Sequence, residues 1–118
     1  MTLKECYEAM DANYDEVISR LRSERMVQKF ALKFLDDPSY ELLTGSMETG
    51  NYEEAFRAAH TIKGVCQNLA FTRLSKSSSA LTEALRSGLT PEAPGLLEQV
   101  KQDYRQTVDA IRAFRDSL

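Results

Sequence analysis

The chain has 118 residues, 42% of them apolar and 28% charged, and a formal net charge of −3. This length suits one domain with one core, and the mild negative balance gives no reason to expect nucleic acid or an anionic membrane surface as a partner. No apolar run approaches the roughly 20 residues of a membrane span, and the opening MTLKECYEAM lacks the blocks of a signal peptide, so a cytoplasmic location is expected.

The pattern is helical nearly throughout, because no segment alternates apolar and polar residues with β-branched enrichment. Thr2 and Glu5 have capping-box spacing, which predicts a short helix over 3–10, and a second is expected over 13–22. Ser23 caps a third over 24–36, with Met26, Val27, Phe30, Phe34 and Leu35 on one stripe. Asp37 and Pro38 read as the N-cap and first residue of a separate helix over 38–48, ended by Gly50. The segment 52–70 has one internal breaker, Gly64, which costs about 1 kcal/mol relative to alanine in a helix interior. Thr72 is the expected cap of a helix to Ser87, with Gly88 as a left-handed stop. Thr90 and Pro91 begin the last helix, striped by Leu97, Val100, Tyr104, Val108, Ile111 and Phe114. Amphipathic helices joined by short loops bury their stripes most economically together. The expected fold is all-α, an antiparallel four-helix bundle (up-down-up-down) over 24–118, with additional short N-terminal helices over 1–23 capping it.

The one histidine, His60, lies in AAHTIKGVCQNLAF. At about 100° per residue, Ala55, Ala58, Ala59, Ile62, Val65, Cys66 and Leu69 share the arc that packs into the bundle. His60, Lys63, Gly64 and Gln67 stand on a second stripe, roughly opposite. Lys63 is one turn from the imidazole, Gly64 removes a side chain directly over it, and Gln67 adds a neutral donor and acceptor. Between Ala55 and Thr82 there are four basic residues and no acidic one, which leaves −7 for the rest of the chain. A positive surround favours an incoming phosphoryl group or an acidic partner.

Metal binding is poorly supported, since there is no second histidine and Cys66 falls on the buried arc; neither Cys6 nor Cys66 belongs to a metal pattern, and both are expected as free thiols. General-base chemistry needs an oriented carboxylate and a cleft, and neither is near in sequence. A nucleophile needs only access, an unprotonated nitrogen and charge neutralisation for the transferred oxygens. Imidazole titrates close to neutral pH and meets that requirement.

AHTIKG at 59–64, followed by NLAFTRLSKSSSALTEALRSG, resembles the histidine-containing phosphotransfer (HPt) domain, whose motif is an alanine and histidine with a Lys-Gly pair three and four places on. The resemblance extends over roughly 24–114 and implies that His60 is the phosphoacceptor. It further implies that Lys63 lies near the phosphoryl oxygens, that Gly64 keeps access open, and that Gln67 helps the phosphate environment or docking. It also implies a carrier rather than an enzyme, passing phosphoryl groups between receiver-domain aspartates of a phosphorelay. Response-regulator receivers and a hybrid histidine kinase are the implied partners. The Mg²⁺ and catalytic carboxylates are expected in the receiver, with no cofactor or metal in this chain, and a monomer is expected so that the histidine face stays free. Two positions depart from the family pattern: Val65, where Ser or Ala is usual, and Ala70, where glycine is common.

Two alternatives stand beside this reading. A histidine-kinase dimerisation element also displays a histidine on a bundle helix, but it usually follows it with an acidic residue and then Thr-Pro, where this chain has HTIKG. A helical interaction module without phosphorylation would not need His60 at all. Ser75, Ser77, Ser78 and Ser79 are expected on a solvated face, and Phe56 half-buried at the edge of the site.

Overall fold

The computed structural model describes residues 1–118 and contains seven helices: α1 Leu3–Ala9, α2 Tyr14–Leu21, α3 Glu24–Phe34, α4 Ser39–Thr49, α5 Tyr52–Leu69, α6 Thr72–Leu85 and α7 Ala93–Asp116. Short links make α4, α5, α6 and α7 antiparallel neighbours, with α5 packed between α4 and α6 and with α6 against α7. Phe30 and Phe34 of α3 meet Val65 and Leu69 near the end of α5. The elements together form an all-α bundle. α7, with 24 residues at about 1.5 Å each, spans most of the 40 Å long axis.

Local chemistry accounts for most helix starts. Thr2 and Glu5 exchange both capping-box hydrogen bonds, at 3.0 and 2.8 Å. Asn13, Ser23 and Asn51 accept the N–H of Glu16, Met26 and Glu54, respectively. Three expected starts move. The Asp37 carboxylate accepts from the Ser39 N–H at 2.8 Å, so it caps from one residue earlier and α4 begins after Pro38. Thr72 is the first residue of α6, and the cap position is held by the buried ring of Phe71, without a side-chain hydrogen bond. α7 begins at Ala93 rather than at Pro91; Thr90 instead ties the preceding loop down by donating to the Ala84 carbonyl at 3.0 Å.

The core is continuous and includes residues of every helix. A chain of rings runs through it: Tyr14 to Tyr7, Phe71, Phe34, Tyr104 and Tyr40, with centroid separations of 6.1, 5.7, 5.4, 5.9 and 3.7 Å. Helices that share few backbone neighbours are joined by these rings, and each pair adds about 0.5–1.5 kcal/mol beyond its buried area. Met26, assigned to the α3 stripe, is exposed, and Ala31 takes its place beside Val27 and Phe34. The serines are also corrected. Ser77 and Ser78 are buried, and Ser78 donates to the Leu74 carbonyl at 2.6 Å. A hydroxyl that returns its proton to its own helix can be buried without an outside partner, and its small volume lets the neighbouring helix come close. Cys6 and Cys66 are buried free thiols, with the Cys6 thiol pushed up to about 11 by burial.

The C-terminal end of α5 is finished by the first two helices. The last carbonyls of a helix have no partners within it. Here the Arg20 guanidinium donates to the Gln67 and Asn68 carbonyls at 2.6 and 2.9 Å, the Tyr7 hydroxyl to Leu69 at 2.8 Å, and the Asn13 N–H to Ala70 at 2.9 Å. A cation at this end also opposes the helix dipole. Ala70 itself is left-handed, with φ of 58° and ψ of 36°. Glycine adopts this conformation without penalty, and an L side chain gives up about 1 kcal/mol to do so.

Candidate functional site

α5 carries two faces. Ala55, Ala58, Ala59, Ile62, Cys66 and Leu69 are buried, and only Val65 of the expected arc is merely half-buried, at its edge beside Phe30. His60, Gly64 and Gln67 are exposed on the opposite stripe, and Lys63 is partly exposed. The period of the helix separates the faces because the apolar residues recur at three- and four-residue spacing. Gly64 answers a specific question: a Cβ built there meets no atom within 4 Å, so a close helix crossing is not its reason. The helix accepts the cost of a glycine where nothing presses on it, and the effect is an open surface one turn from the imidazole.

Phe56 is half-buried and lies nearly parallel to the imidazole, with ring centroids 6.2 Å apart and 15° between planes. The Arg86 guanidinium, from the end of α6, stands 5.4 Å from the centroid of the same ring. Arg86 is held by Glu83 through two hydrogen bonds, Nε to Oε2 at 3.1 Å and Nη2 to Oε1 at 2.7 Å. The Glu83 carboxyl is held below the usual carboxylate range, first by the Arg86 hydrogen bond and charge, then by the charges of Lys63 and His60. Glu83 and Arg86 therefore belong to the surroundings of His60, although neither falls on its helix.

The acid-free stretch of sequence is not acid-free in space. Arg57 is paired with Glu53 and Glu54, one turn before it. Arg73 bridges Asp11 at 2.9 Å and the buried Asp103 at 3.7 Å, which fastens α6 to α7 and to the turn after α1. Lys63 forms no ion pair, and it remains the cation on the histidine stripe itself. Gln67 contributes its backbone carbonyl to Arg20, while its exposed side chain borders a surface hollow with Arg20, Ser75 and Lys76. Nothing in the spacing along α5 points to Glu83 and Arg86, which lie on another helix; an i, i+3 acid and base facing α5 is the signal that does.

The arrangement offers an accessible nucleophilic ring, one unpaired cation a turn away, and no cleft. It suits transfer of an anionic group delivered by another macromolecule better than turnover of a small substrate. No helix is long and apolar enough to cross a membrane. The family model described as Hpt domain matches residues 15–113, from α2 through nearly all of α7. No curated protein and no solved structure matches the chain.

Proposed function

The chain belongs to the Hpt domain family, and from that premise we propose that it carries a phosphoryl group on His60 between receiver-domain aspartates of a phosphorelay. Membership gives the chain a role in phosphotransfer within two-component signalling, with response-regulator receivers and histidine kinases as its partner classes. The observation that carries the finer reading is the exposed imidazole beside an uncrowded Gly64.

In the proposed step, a ring nitrogen of neutral His60 directs its lone pair at the phosphorus of an aspartyl phosphate on the receiver. An N–P bond forms while the P–O bond to the aspartate breaks, and that bond's electron pair stays on the departing carboxylate. The proton on the other ring nitrogen of the imidazolium so formed is free to pass to water. Lys63 supplies positive charge to the phosphoryl oxygens, and Gly64 leaves room for the receiver to bring phosphorus, leaving oxygen and nitrogen into line. A Mg²⁺ bound by the receiver's own carboxylates would neutralise the remaining oxygens. The chain is thus a carrier with no cofactor of its own, acting as a cytoplasmic monomer whose histidine face is free.

The test is to incubate the purified chain with phosphorylated receiver domains. Acid-labile, base-stable label on the chain is the expected result; its absence with several receivers would overturn the reading. A second result is expected from Gly64→Leu. The helix gains stability, by up to about 1 kcal/mol, since leucine is the better helix former and its Cβ meets nothing. Transfer slows by roughly tenfold or more, because the added side chain overhangs the ring and displaces the reacting groups. Unchanged transfer rates would show that access at Gly64 is irrelevant.

A further inference from the structure

Three side chains follow one another outward from His60. Phe56 stacks on its ring, Arg86 covers Phe56, and Glu83 holds Arg86 while lying near enough to feel the charges of Lys63 and His60. A phosphoryl group at His60 would bring a charge of about −1.5 to −2 into this neighbourhood, as for other phosphorylated side chains. Lys63, a single point charge, does not balance it, and Glu83 has the wrong sign.

We propose that Glu83 and Arg86 form an exchangeable clamp: Glu83 keeps the guanidinium parked on Phe56 until His60 is phosphorylated, and Arg86 then leaves it for the phosphoryl oxygens. The clamp rests on the phosphorylation of His60 proposed above and goes beyond it by assigning Arg86 as a second phosphoryl ligand, supplied by α6. Three observations carry it. The Glu83–Arg86 pair is exposed, with side-chain accessibilities of 59% and 57%, so water screens it and a doubly charged competitor can displace it. The guanidinium is planar and forked, which matches two phosphoryl oxygens as it matches the Glu83 carboxylate. It already lies over the ring that neighbours the imidazole, so the exchange is a rotation of the Arg86 side chain about Phe56. Phosphorylation would then tie α5 to α6 through a contact that the resting chain lacks.

The experiment measures the equilibrium distribution of phosphoryl groups between a receiver and this chain, for the wild type, Arg86→Ala, Glu83→Gln and the double variant. Arg86→Ala is expected to shift the distribution towards the receiver by roughly threefold to tenfold, the range spanned by weak and strong charge-assisted contacts. Glu83→Gln is expected to shift it towards this chain, and that gain should shrink by more than half once Arg86 is absent. In the wild type, the Arg86 Nε–H resonance should move on phosphorylation. A wild-type distribution in Arg86→Ala would overturn the clamp, as would equal Glu83→Gln gains in both backgrounds, which would reduce Glu83 to simple repulsion. Label that never reaches the wild-type chain overturns the carrier reading and the clamp with it, whereas label that reaches it with Arg86 silent overturns the clamp alone.

Discussion

His60→Gln is expected to reduce phosphoryl uptake from a phosphorylated receiver to background, with the fold and stability unchanged. Glutamine is close in size to histidine, is a somewhat better helix former, and replaces a side chain that is already exposed, so the stability change should stay within about 0.5 kcal/mol. What it removes is the basic ring nitrogen. An amide nitrogen has its lone pair delocalised into the carbonyl and does not attack phosphorus under these conditions. The loss should therefore be complete rather than partial. Circular dichroism and thermal melting check the fold, and label uptake checks the chemistry. Substantial label on a well-folded His60→Gln chain would remove His60 from the account.

The second large effect concerns stability. Tyr7→Ala is expected to destabilise the chain by about 3–5 kcal/mol, as for large buried aromatics generally. Tyr7 is 0% exposed, its ring contacts those of Tyr14 and Phe71, and its hydroxyl donates to the Leu69 carbonyl at 2.8 Å. Burial pushes the phenol well above its ordinary range, so it remains a protonated donor across the working pH. Tyr7→Phe separates the two contributions. It keeps the ring and leaves a buried carbonyl at the end of α5 without its partner, which should cost about 1–3 kcal/mol. Urea unfolding midpoints measure both. If Tyr7→Ala lies within about 1 kcal/mol of the wild type, α1 is not bound to the core in the way described. The consequence for function is indirect: α1 and α2 fasten the end of the helix that displays His60, and a loosened end should lower the temperature at which transfer fails.

Much of this architecture is legible from spacing because helices enforce it. The buried arc of α5 and the exposed stripe of His60, Lys63, Gly64 and Gln67 follow from a period of about 3.6 residues, and tertiary packing has little freedom to rearrange them. Gly50 and Gly88 stand at positive φ, 76° and 104°, where their lack of a side chain is needed. The starts of α6 and α7 are less legible. Thr72 is a good cap by composition, but burial of Phe71 decides the boundary, and burial belongs to the assembled core rather than to four local residues. Ser77 and Ser78 misled for a related reason: polarity predicts solvent, while a hydroxyl bonded to the carbonyl one turn back is as content in the core.

The site divides in the same way. Residues on one helix were found by their offsets, and the departure at Ala70 becomes intelligible once its left-handed backbone is seen. Glu83 and Arg86 lie more than twenty positions from His60 in sequence and reach it only because α6 runs back along α5. Arg20 is further away still, and its place on the Gln67 and Asn68 carbonyls has no local signature. Charge counted along the chain was equally incomplete, since the partners of Arg73 come from α7 and from the turn after α1.

The most direct test is to find the atom that carries the phosphoryl group. After incubation with a phosphorylated receiver and trypsin digestion at neutral to mildly alkaline pH, the peptide AAHTIK, residues 58–63, can be fragmented without acid treatment. One phosphoryl group is expected on that peptide, located on His60 and not on the adjacent Thr61, and lost on brief acidification. A phosphoryl group on Thr61 or on another peptide, or a receiver that loses its label only to water while residues 58–63 stay unmodified, would contradict it.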